Sequence, residues 1–97
     1  MAPPNPPYVN IQTGFTDGTI NANGQFYWWN SGGGNCTVSN VGSWCTQSTY
    51  GPMAGGQSMQ ATVSNVSTGS YSYSSPCQQT NQPVRVIGGH PTPLKKK

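Results

Sequence analysis

From Tyr8 to Ile87 apolar and polar residues alternate in short stretches, separated by turns rich in Gly, Pro, Asn and Ser. Val9 and Ile11 alternate with Asn10 and Gln12, and Met59, Ala61 and Val63 alternate with Ser58, Gln60 and Thr62. Val84 and Val86 flank Arg85 in the same way. A repeat of two places successive side chains on opposite faces of a strand. No window carries apolar residues at helical spacing, and Gly or Pro interrupts every stretch of helical length. The pattern predicts an all-β chain.

Asp17-Gly18 and Asn23-Gly24 are tight-turn dipeptides that suit hairpins. The second opens the strongest β stretch, Gln25 to Asn30, with Phe26 and Trp28 on one face and Tyr27 and Trp29 on the other. Aromatics on both faces imply a strand buried on one side and covered on the other by a loop or a partner. SGGG at 31–34 reads as a flexible connection, Cys36 to Val41 as a short strand, and residues 42–50 as irregular. Gly69 to Cys77 and Pro83 to Ile87 read as the last strands, Ala61 and Val63 facing the core together with Met59. Seven or so strands with turn signals every eight to twelve residues or thereabouts are the pattern of a sandwich or small barrel.

At 97 residues the chain is one small domain. Such a domain buries only a modest share of its unfolded surface, so a disulfide or neighbouring subunits are expected to help. Charged residues make up 5%, against roughly 25% in ordinary soluble domains. Disorder is nonetheless not expected, because 3 Trp, 5 Tyr and 2 Phe supply a core. The net charge of +3 resides in Lys95, Lys96 and Lys97, while Arg85 cancels Asp17 in the body. A terminal lysine run is a solvated tail able to touch a partner, and with no arginine-interleaved stacking platform nucleic acid is not a favoured partner. Residues 1–7, with four prolines, read as an extended arm; residues 8–88 as the domain; residues 89–97 as a flexible Gly/Pro/Lys tail. No apolar run approaches membrane-spanning length, so no membrane partner is expected. The N-terminus shows neither a charged n-region nor an apolar h-region, and no secretory signal is expected. An extracellular type of composition without an export signal suggests a protein made in a host cytoplasm and released in a virus particle, or a segment of a larger secreted protein.

Three cysteines allow three single pairings, each leaving one thiol. Joining Cys36 to Cys45 closes a short loop and Cys36 to Cys77 a long one, worth under about 3 and roughly 4 kcal/mol respectively on the chain-entropy estimate. The order GQFYWWNSGGGNC, a later Trp, GQSMQATV and SYSYSSPC resembles the bacterial and phage immunoglobulin-like domains over roughly residues 8–88. That resemblance implies an antiparallel β-sandwich with Trp28 in the core, a Cys36–Cys77 disulfide, Cys45 left as a free thiol, and Tyr71 or Tyr73 as the corner tyrosine. The segment 42–56, with its Trp44-Cys45 pair, lies outside the pattern.

Catalysis by acid and base needs positioned titratable groups, and the chain has one Asp, no Glu and one His, His90, in the tail. No metal, cofactor or enzymatic activity is expected. The expected function is that of a virion structural protein, a bacteriophage capsid decoration or fibre-associated subunit that binds neighbouring coat or filament subunits in a symmetric homo-oligomeric assembly. Its arm and its Lys95–Lys97 tail would lie along adjacent subunits. A carbohydrate-binding or cell-surface adhesion module is the second possibility, since Tyr and Trp rings beside Asn and Gln hold surface glycans. Tyr27, Trp29, Trp44 and Tyr50 are the candidate interface or glycan contacts.

Overall fold

Every regular element in the computed structural model, which describes residues 3–88, is a strand. In chain order these are β1 (Tyr8–Asn10), β2 (Thr16–Asp17), β3 (Ile20–Asn21), β4 (Gln25–Trp29), β5 (Cys36–Val38), β6 (Tyr50–Met53), β7 (Ser58–Thr62), β8 (Gly69–Tyr71) and β9 (Val84–Ile87). One sheet runs β2-β1-β4-β7, a second β3-β9-β8, and β5 pairs with β6. An isolated bridge between Ser39 and Ser74 ties the last two sheets together. The strands expected over 57–63 and 83–87 are present as β7 and β9, the latter with Val84 and Val86 buried and Arg85 and Ile87 exposed.

Two pairings depart from an antiparallel sandwich of about seven strands. β1 runs parallel to β4, with Val9 beside Trp28, and β3 runs parallel to β9, with Ile20 beside Val86. Neighbouring parallel strands need a connection of a dozen or more residues, which residues 11–24 provide between β1 and β4. The two turn dipeptides do turn the chain, Gly18 and Asn23 both having positive φ. Neither closes a hairpin, because each hands the chain from one sheet to the other: β2 to β3, then β3 to β4.

Side chains from all three sheets enter one core. Trp28 lies at its centre, fully buried, with the rings of Phe26 and Tyr73 at 5.0 Å, Trp44 at 5.8 Å and Tyr50 at 6.5 Å. Each such ring removes roughly 150–250 Å² from water, worth at most roughly 4–6 kcal/mol, and a core this small rests on a few of them. Ala61 and Val63 join the core as expected, but Met59, opposite Trp28 on the edge strand β7, does not and stays 38% exposed.

One end of the molecule is held by polar groups. Gln12 and Asn30 are buried, and the Gln12 side-chain N–H donates to Asn30 Oδ1 at 2.7 Å. Asn30 Nδ2 donates to the carbonyls of Gly34 and Met53, its Oδ1 accepts from the Gly32 N–H, and Gln12 Oε1 accepts from the Ser31 N–H. The 31–34 connection, expected to be flexible, is therefore fastened at both ends. Gly55 lies against it so closely that a Cβ there would stand 2.6 Å from the Gly32 carbonyl oxygen.

Candidate binding face

The register of β1, β4 and β7 assembles a face that the core does not use. Tyr8 aligns with Tyr27 and Tyr27 with Gln60; Asn10 aligns with Trp29 and Trp29 with Ser58. Directly paired residues project to the same side of a sheet, so these side chains form rows across its outer surface. Tyr27 and Trp29 are half-buried there, with Gln25, Ser58 and Gln60 exposed around them. The rings of Tyr8 and Trp29 meet edge to face, with centroids 5.5 Å apart and planes at 83°. Gln60 Nε2 donates to Gln25 Oε1 at 2.9 Å beside Tyr27. The Trp29 indole N–H is shielded from solvent and has no hydrogen-bond acceptor among the described residues. Asp17, paired with Tyr8 at the β2 edge, is the one charged side chain in these rows.

The candidates separate into two groups. Tyr27 and Trp29 lie on this face. Trp44 and Tyr50 do not: they are 0% and 2% exposed, so neither offers its ring to a partner. Trp44 stacks between Phe26 at 5.7 Å and Tyr71 at 5.8 Å and donates its Nε1 hydrogen to the Ser72 carbonyl; Tyr50 accepts from the Gln47 N–H. The segment outside the immunoglobulin-like pattern thus sends its large side chains Trp44, Tyr50 and Met53 into the core and leaves its small polar residues at the surface. Its apolar Trp44-Cys45 pair is drawn inward because a small domain has few other large side chains with which to fill its middle.

Cys36 and Cys77 form the disulfide. Cys45 is free and buried, and desolvation pushes its thiol up to about 12. A buried, protonated thiol neither cross-links chains nor attacks electrophiles at neutral pH. Of the two corner-tyrosine candidates, Tyr71 donates to the Ser67 carbonyl four residues upstream, whereas Tyr73 donates to Ile11 in a distant strand segment. His90 and Lys95, Lys96 and Lys97 lie outside the described residues, as do Met1 and Ala2 of the arm. Within the described part of the arm, Pro7 accepts a hydrogen bond from the Tyr27 N–H, and Pro6 and Pro7 pack against Gly18. The arm's last residues therefore continue β1 along β4.

Tyr8 and the Gln25–Gln60 pair were not among the sequence candidates. Tyr8 looks like an ordinary strand start, and two glutamines 35 positions apart meet only through the β4–β7 register. Comparison with protein-family models, with curated proteins and with solved structures finds no match for the chain.

Proposed function

We propose that this chain is a non-enzymatic structural subunit of an extracellular particle, a capsid decoration or fibre-associated protein that attaches to neighbouring subunits through the outer face of the β2-β1-β4-β7 sheet. The observation that carries this is the pair Tyr27 and Trp29, half-buried on an almost uncharged surface and braced by Tyr8. Rigid Tyr and Trp anchors inside a polar rim are the residues on which protein interfaces concentrate their binding energy. From strand spacing and rise, the face measures about 19 by 16 Å, or about 300 Å². A stable binary interface takes roughly 800 Å² per partner. A face this small suits a contact repeated many times in a symmetric array, where linkage multiplies a weak contact. An immunoglobulin-like relationship would fit the layered strands and the local Tyr71 bond, and it belongs to the same proposal.

A second possibility, carbohydrate binding, draws on the amides beside the rings. Gln25 and Gln60 border Tyr27 as hydrogen-bonding groups border a stacking ring in sugar sites, and about 300 Å² is ample for a short glycan. The two separate experimentally. Sedimentation of the purified chain across rising concentration should show self-association that Tyr27→Ser with Trp29→Ser abolishes. A glycan array should remain blank. A chain that stays monomeric throughout and binds defined glycans through the same two residues overturns the assembly proposal in favour of the second.

A further inference from the structure

A different part of the surface has the form of a site. Where the chain passes from β2 to β3, it borders a half-open cleft of about 210 Å³ lined by Thr16, Gly18, Thr19, Ile20, Arg85 and Ile87. Arg85 and Ile87 are alternate residues of β9 and share its outward face, while Val84 and Val86 turn into the core. Ile20 aligns with Val86, so Thr19, the residue before it, stands level with Arg85. The cleft is thus lined by two isoleucines, two threonines, a glycine and one arginine.

Three observations define what fits it. Arg85 and Asp17 are the only charged side chains among the described residues, and they make no ion pair with each other, although Asp17 lies in the chain between the cleft residues Thr16 and Gly18. The planar fork of donors on Arg85 matches a carboxylate. The volume lies below the roughly 300–1,000 Å³ of small-molecule pockets, which makes it a receptacle for one or two side chains. Finally, β2 and β3, each two residues long, are edge strands of their sheets, and one residue of each, Thr16 and Ile20, lines this cleft. Open strand edges pair with extended peptides. Ile87 is 39% exposed, which leaves apolar surface in the cleft that Arg85 also lines.

We propose that this cleft binds an extended polypeptide segment carrying a carboxylate next to an apolar side chain, with Arg85 holding the carboxylate and Ile87 the apolar group. The carboxylate is that of an acidic side chain or of a chain terminus. The site lies on the β3-β9-β8 sheet and does not depend on the function proposed for the Tyr27–Trp29 face.

The test uses the full chain, isotope-labelled, and follows amide chemical shifts during titration with four short peptides. Two are blocked at both ends and contain Val-Glu or Val-Gln; two end in Leu with a free or an amidated terminus. Shifts at Thr19, Ile20, Arg85 and Ile87 are expected with Val-Glu or with the free terminus, and which of the two binds identifies the source of the carboxylate. Val-Gln and the amidated peptide should leave them unmoved. Arg85→Gln, an exposed substitution checked for a native spectrum, should weaken binding about tenfold or more, and Arg85→Lys should restore only part of it. Ile87→Ser should weaken it with the charge intact. Equal binding by Arg85→Gln, equal binding of peptides lacking the carboxylate, no shift with any peptide, or the same shifts from inorganic phosphate alone would each overturn the proposal.

Discussion

The hydroxyl of Tyr73 donates to the main-chain carbonyl of Ile11 at 2.7 Å, joining two segments 62 positions apart in the chain. Tyr73 is 3% exposed and its ring lies 5.0 Å from Trp28, so this bond spans the core beside its largest side chain. Tyr73→Phe keeps the ring and leaves the buried carbonyl without this donor. A loss of about 1–2 kcal/mol is expected in urea unfolding, with the slope unchanged. Tyr71→Phe removes a bond in an exposed setting and should cost less, about 0.5 kcal/mol.

Asn30 makes the larger polar contribution. Its side chain donates to Gly34 and Met53 and accepts from Gln12 and Gly32. Asn30→Ala leaves several buried partners unmatched at once, and a destabilisation of roughly 3 kcal/mol is expected. Native-state hydrogen exchange should show the 31–34 and 53–57 amides losing protection together. Loss confined to the first segment would contradict a shared fastening.

The cysteines should divide by accessibility. Under native conditions Cys45 should resist a thiol reagent and become labelled only on unfolding, since its side chain is 2% exposed. Reducing the Cys36–Cys77 bond, which spans 41 positions, should lower stability by about 4 kcal/mol on the chain-entropy estimate. Mass spectrometry of the labelled protein and unfolding curves with and without reductant measure both.

Alkaline pH should weaken the fold. Burial raises both the Cys45 thiol and the Tyr73 hydroxyl to about 12, from 9.0 and 10.0. Above their ordinary values the unfolded chain sheds protons that the folded chain retains, so the unfolded state is favoured as pH rises. Their stabilising contribution should be complete below about pH 9 and fall away between about 9 and 12. Thermal melts across that range check it. Cys45→Ala should flatten the lower part of the decline.

Period-two alternation was enough to place strands at β4, β7 and β9, to assign Ala61, Val63, Val84 and Val86 to the core and to put Phe26 and Trp28 on one face of β4 together, because a strand with one buried face leaves that imprint on its residues. Strand direction leaves none: a parallel and an antiparallel neighbour bury the same alternate positions, so the β1–β4 and β3–β9 pairings could not be read from the order of residues. Asn-Gly and Asp-Gly mark where the backbone can turn with positive φ, not whether the flanking strands then pair.

The candidate site divides along the same line. Tyr27 and Trp29 were legible as a pair because they alternate with Phe26 and Trp28, which puts the two pairs on opposite faces of β4. Trp44 and Tyr50 sit in a segment with no period, where only packing decides, and packing took both inward. The all-β class and the two aromatic faces of β4 follow from local spacing alone. Tyr8 bracing Trp29, Gln60 meeting Gln25, Asn30 fastening the glycine connection and Arg85 standing beside the β2–β3 crossing arise only when distant segments are brought together, for each depends on a register or a sheet crossing that no stretch of neighbouring residues encodes.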